Sequence, residues 1–293
     1  MFGVRYLVII SRNISKIVDM CDLRSINRGQ FEAARRYWFA ANILKSIAYL
    51  VGVCTVFWAN ILWFAPIILL VMAILSDLVQ FASDFAKSKA EFLLKLLDLN
   101  ESFGRSISPM DKRDTAYIMP FGNRKQYQWE DVDGAYFASR ENIGPKKAIE
   151  NLRESAWYTR QQAFVMGVAH IGIIFVVMLV SVIAVMITAR EVQDTLTTEK
   201  IVKVVTSALL LMISLNMFRG GVLYYRLYMR SKNTEINCDY LLKQEITQDD
   251  AMKQWGDYQA VRANSPLLPS WLWKVMGQWL KRRWTQYVMD SNV

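Results

Sequence analysis

Apolar positions in this chain gather into four long runs parted by polar stretches of unequal length. The first, SIAYLVGVCTVFWANILWF (46–64), and the second, PIILLVMAILSDLVQFA (66–82), are separated by a very short turn near Asn60 to Pro66. The third, AFVMGVAHIGIIFVVMLVSVIAVMIT (163–188), and the fourth, VVTSALLLMISLNMFRGGVLYY (204–225), are joined by the polar link AREVQDTLTTEKIVK. A hydrocarbon core of about 30 Å takes roughly 20 helical residues. Each run is about that long, so the pattern predicts an all-α integral membrane protein with four transmembrane helices in two hairpins, extending into a mostly helical cytoplasmic region.

The polar stretches complete the organisation. Leu7, Ile10, Ile14, Ile17 and Cys21 recur at three and four, predicting an amphipathic helix within a segment 1–41. MFGVRYLVII lacks a small-residue cleavage site and makes a poor signal peptide, so this helix is expected to persist. The first hairpin occupies 42–82, and the segment 83–161 is too long for a tight connection, making it a cytoplasmic unit. Its opening, ASDFAKSKAEFLLKLLDLN, carries no Pro or Gly and continues the second span as helix. Asp77, Gln80, Asp84, Lys87, Glu91 and Lys95 draw one polar stripe along it; below Asp84 the reading is a solvated face, whereas a carboxylate at Asp77 suits a bundle interior or water. The following 36 residues from Glu101 read as irregular, with one short strand at most. Helix resumes at GPKKAIENLRESAWYTRQQAF, with Pro145 in its first turn, and runs into the second hairpin, 162–226. In that hairpin and the first, only Pro66 breaks a span, at its edge.

The last segment, 227–293, ends in SPLLPSWLWKVMGQWLKRRW, followed by nine more residues. Leu268, Leu272, Val275, Met276, Trp279 and Leu280 share one broad face there, with Lys274, Gln278, Lys281 and Arg282 opposite. This predicts a helix lying in the membrane interface, or one packed on the protein's own cytosolic bundle.

Composition supports the membrane reading. Hydrophobic residues make up 53% of 293 positions, yet the net charge is +9, a pairing that needs the two to be segregated. Of 35 Lys and Arg, eight precede the first span, 13 lie between the hairpins, 11 follow from Arg219 onward, and only three fall in the second turn. The positive-inside rule places both termini and the centre in the cytoplasm.

No catalytic constellation is present. Cys21, Cys54 and Cys238 stand singly, so neither a disulfide framework nor a zinc site is expected. The sequence has no GxxxxGK[ST], GxSxG or HExxH, and WEDVDG lacks most of a calcium loop, so no enzyme, metal or cofactor is expected. Within the spans, His170, Ser181 and Thr188 fall near one face of the third and Lys203, Ser207 and Ser214 near one face of the fourth. With Asp77 these are candidate pore-lining residues; the competing reading is helix packing. In RKQYQWEDVDGAYFASRENIGPKK, cations interleave with aromatic rings, a composition suited to a nucleotide or to anionic lipid. Arg124, Tyr127, Trp129, Arg140, Lys147 and Arg153 are the candidate ligand-binding residues.

The two-plus-two hairpin layout, the stretch YFASRENIGPKKAIENLRESAWYTRQQA and the terminal SPLLPSWLWKV resemble the S-4TM effectors of bacterial antiphage systems of the cyclic-oligonucleotide type. The resemblance implies a multi-pass inner-membrane protein. A cyclic dinucleotide or oligonucleotide from a partner nucleotidyltransferase would open it as a pore and arrest growth. It implies no residue-level ligand motif and no DNA or RNA partner. Four helices leave little room for a lumen, so a homo-oligomer is expected, with a tetramer favoured, and the basic cytosolic face points to anions. A small transporter or a membrane-anchored scaffold is the competing reading.

Overall fold

A computed structural model describes residues 23–57, 64–108, 137–191 and 216–291, with 110–111 and scattered positions between 199 and 209. The expected N-terminal helix over Leu7 to Cys21 lies outside the described residues. So do Arg124, Tyr127, Trp129, Ser207 and Ser214. The protein is all-helical, with no strand among the described residues. Six long helices follow in order there: α1 (Leu23–Phe57), α2 (Ala65–Phe103), α3 (Pro145–Glu191), α4 (Met217–Leu241), α5 (Gln248–Ala263) and α6 (Ser270–Ser291).

Local chemistry sets their ends. Pro66 sits in the first turn of α2, where its missing N–H costs nothing, and no breaker follows for the length of the helix. Gly104 stops it: at φ +67 the chain leaves the helix, and the Gly104 N–H donates to the Asn100 carbonyl at 3.0 Å. Pro145 opens α3 as expected from the sequence. Thr247 caps α5, accepting from the Asp250 N–H, with Asp249 and Asp250 in its first turn and Arg262 in its last, all matched to the helix dipole.

The chain divides into two compact units. One comprises residues up to Arg35, Asp84–Arg160 and Met229 onward; the other comprises Arg36–Ser83 and Gln161–Tyr228. Helices α1 to α4 each supply residues to both.

In the first unit Leu99, Ile149, Leu152, Cys238, Trp255 and Tyr258 form a buried core from α2, α3, α4 and α5. The Tyr258 hydroxyl lies 3.2 Å from the Ser155 carbonyl and 3.0 Å from Thr159 Oγ1, so this fully buried phenol keeps a hydrogen bond. A second cluster joins Trp157 of α3 to Leu280 and Trp284 of α6, with Met276 and Tyr287 beside it. The α6 face expected to meet membrane is therefore split. Leu272, Met276 and Leu280 turn inward onto protein, while Val275 and Trp279 remain exposed. Trp157 offers Met276 and Leu280 of this row an aromatic partner within the protein, so their apolar area leaves water without a bilayer.

The second unit has a different surface. The most apolar windows of α2 and α3 have mean hydropathies of 1.8 and 2.6, yet only 11% and 22% of their residues are buried. A soluble core helix of that composition would be mostly buried. Ile67, Leu70, Phe81, Phe175, Val176 and Met186 are exposed instead, a contiguous kind of apolar surface that suits a non-aqueous neighbour. Both helices are long and apolar enough to cross a membrane. The inward face of α3 is narrow and small: Ala163, Met166, Gly167, Ile174 and Ser181 are buried, mostly at three- and four-residue spacings or their sums. A Cβ on Gly167 would lie 3.7 Å from Tyr224, so α4 approaches α3 closely at this small residue.

The fourth apolar run is not one regular helix. Asn216 adopts φ 54, and α4 begins immediately after it, with the Gly220 N–H donating to the Asn216 carbonyl at 2.7 Å. Asn is among the side chains that tolerate this left-handed conformation. Pro66 is thus not the only break in the apolar runs.

Leu280→Ala should lower folding stability by about 2–5 kcal/mol, because the site is fully buried among aromatic rings. Trp279→Ala, at a position 49% exposed, should cost less than about 1 kcal/mol. Denaturation midpoints of the two variants in detergent check this, and equal losses would contradict the packing of α6.

Candidate functional site

The polar stripe of α2 is densely paired within the first unit. Lys87 Nζ donates to the Ala263 carbonyl at 2.8 Å and also to the Ser265 carbonyl, holding the C-terminal end of α5 where a cation suits the dipole. One turn on, Glu91 faces Arg262 at 3.6 Å. Lys95 lies over the Trp255 ring at 5.8 Å, and Asp98 accepts from Gln259 Nε2 at 2.8 Å. Positions 87, 91, 95 and 98 share one helical face, which docks α5 and is not the solvated face that the sequence suggested. A polar stripe with a polar partner helix is indistinguishable in sequence from one facing water.

Asp98 lines a small cleft together with Ser102, Asn151, Trp255, Gln259 and Arg262, with room for about one water. Asn151 Nδ2 donates to Ser102 Oγ at 3.2 Å. Its Oδ1, and the Trp255 indole Nε1–H, have no hydrogen-bond partner among the described residues. An acceptor and a donor left open in one cleft suit a polar guest with both functions, water being the smallest. Burial raises the Asp98 carboxyl to about 6, against the opposing pull of Arg262 and Gln259. Burial likewise raises Glu154, although it accepts the Ala138 N–H at 2.8 Å.

A second polar set ties α3 to α4 and α6. Arg153 Nε is 2.9 Å from Asp239 Oδ1, and Arg160 is 2.7 Å from Glu235. The Tyr287 hydroxyl donates to Asp239 at 3.0 Å. The Arg153 guanidinium also lies 5.7 Å from the Trp284 ring and 5.1 Å from the Tyr287 ring. Of the candidate ligand residues, Arg153 is thus engaged with the protein itself, Arg140 is exposed in the turn before α3, and Lys147 is half-buried in its first turn.

The candidate pore residues also separate. His170 and Ser181 lie on the inward side of α3. His170 Nδ1 is 2.8 Å from the Met166 carbonyl, which requires the Nδ1–H tautomer, and its ring packs on Tyr224 at 5.0 Å. A Cβ on Gly220 would come within 3.1 Å of that ring, so glycine there admits the imidazole. This is the helix-packing role. Asp77 is exposed on α2. Lys203 is exposed too, with Glu199 one turn before it at 2.5 Å. Thr188 lies in α3, and nothing of its side chain is described. Among the described residues no cluster of His, Cys, Asp or Glu has the geometry for a metal.

Sequence reasoning missed Asp98, Asn151, Trp255, Gln259 and Arg262. The Thr247–Asp250 capping signal marks the start of α5, but nothing local announces which face of α2 receives it.

Burial keeps a proton on Asp98 to higher pH in the folded protein than in the unfolded chain. The folded state holds a proton that the unfolded state releases near 4, so stability falls as pH rises from about 4 to about 6 and is then level. Asp98→Asn should remove this slope and stabilise the protein above pH 6 by roughly 1–3 kcal/mol. Melting temperatures at pH 4.5 and 7.5 check it; an unchanged slope would contradict the burial of this carboxyl. Comparison with known protein families, with curated proteins and with solved structures finds no match to this chain.

Proposed function

We propose that this chain is a multi-pass membrane effector in which a cytosolic helical unit receives a small polar signal and a membrane-embedded unit answers by conducting ions. The supporting observation is that α1 to α4 each contribute to both units, one bearing outward apolar side chains and the other interlocked by buried polar pairs. A ligand that shifts the polar unit moves the same helices that meet lipid. In this reading the four apolar runs are four spans, both termini are cytoplasmic, and the protein sits in the bacterial inner membrane as a homo-oligomer, with a tetramer favoured. The chain has too few helices to pack itself and enclose water as well.

The signal in this reading is a cyclic dinucleotide or oligonucleotide made by a partner nucleotidyltransferase, and the outcome is growth arrest during phage infection. Support comes from the cation-rich, aromatic segment around Arg124 to Lys147 and from the resemblance to the S-4TM effectors. No enzyme activity, metal or cofactor is needed.

Purified protein in liposomes, exposed to a panel of cyclic di- and trinucleotides, should release trapped ions, read by an enclosed ion-sensitive dye, with one member and not with its linear counterpart. Binding of a cyclic nucleotide without release would refute the conducting role and favour a membrane-anchored scaffold.

A further inference from the structure

Within the second unit, the first turns of α4 carry three faces. Gly221 and Tyr224 turn inward. Phe218, Val222 and Tyr225 form an exposed apolar face, the surface lipid would take. Arg219 and Arg226, seven residues apart and so within about 20° of one line, are both exposed. No acidic residue occurs from Met217 to Tyr228.

Depth makes this pair unusual. Gly220 and Gly221 pack on His170 and Ile171, so Arg219 stands level with them. His170 is ten residues beyond Arg160, about 15 Å along α3, inside the run from Ala163 to Thr188 that has no charged residue. It is the eighth of that run's 26 residues, about 10 Å past Ala163 and so about a third of the way into a hydrocarbon core of about 30 Å, deeper than a position at the end of a span. An arginine so deep cannot be left against lipid at small cost; such residues face water or a partner. Tyr224 lies against Gly167, so the chain rises past it and Arg226 stands nearer the Ala163 end of the run.

We infer that Arg219 and Arg226 line a water-filled path for small inorganic anions, closed on its other sides by further copies of this chain. Two guanidinium groups in line with no carboxylate on their own helix turns concentrate anions and repel cations along the path. The inference rests on the conducting role proposed above and deepens it by naming its lining and its substrate class, while its first test does not depend on flux.

The test is labelling of Arg219→Cys in the full chain in membrane vesicles, with native cysteines retained and the label located by peptide mapping. Phe218→Cys, at nearly the same depth on the apolar face, is the comparison, and Arg226→Cys is the second position on the path should Arg219→Cys not fold. A membrane-impermeant anionic thiosulfonate applied to the cytoplasmic side should modify the thiol introduced at position 219 at least about tenfold faster than the one at position 218. It should also react there about tenfold faster than a cationic reagent of the same size, each corrected for its rate with a free thiol. Equal rates at 218 and 219 would overturn the path, as would indifference to reagent charge. A water-accessible, anion-preferring thiol at position 219 in a protein that releases no ions would keep the path and refute the conducting role. Where ions do pass, Arg219→Gln should bring the chloride-to-sodium permeability ratio several-fold closer to one; an unchanged ratio would overturn the inference while leaving the pore intact.

Discussion

Lys87, Glu91, Lys95 and Asp98, one face of one helix, hold α5 through its last carbonyls, its terminal arginine, a tryptophan ring and a glutamine. That docking fixes the first unit, because α5 in turn supplies Trp255 and Tyr258 to the core that α3 and α4 complete. Polar docking is costly to bury and strict in geometry: each pair is worth little as net stability, but a slipped register leaves charges unpaired. The same helix has no Pro or Gly after Pro66 as far as Phe103. A displacement of α5 therefore acts on an unbroken element that also carries Ser83, Gln80 and Asp77, residues of the other unit.

The α3 helix extends this logic. Its 47 residues reach about 70 Å at about 1.5 Å per residue, more than twice a hydrocarbon core. The first third is amphipathic and buries Ile149, Leu152 and Trp157; the remainder is apolar nearly all round and buries a narrow stripe that includes Ala163, Gly167 and Ser181. In the proposed membrane setting one helix obeys two solvents in succession. Its burial pattern follows from that alone: a wide inward face where water is outside, a narrow one where apolar side chains can point outward without penalty.

Much of this was legible in the chain. Apolar runs marked the membrane-length stretches of α2 and α3, Pro145 marked the start of α3, and the absence of breakers carried α2 past residue 82. Helix contacts were less legible. The stripe from Lys87 to Lys95 reads as solvent-facing because periodicity reports polarity and not what meets it. Leu272 and Val275 look alike in the α6 pattern, yet only the first is buried. His170 invites a functional reading as the only histidine, but its partners are a backbone carbonyl, the Tyr224 ring and Gly220, whose missing side chain leaves room for the imidazole. The position of Arg219 beside His170 was hidden for another reason: it is set by the α3–α4 register, which no local pattern encodes.

The central claim is that lipid covers the outward apolar surface of the second unit and spares the first. Labelling of native membranes with a bilayer-confined photoreactive probe, followed by peptide mapping, tests it directly. The account predicts label within Ile67–Phe81 and Phe164–Ile187 and almost none in Pro145–Leu152 or in α5. Label spread evenly over both units, or absent from the two apolar stretches, would contradict it.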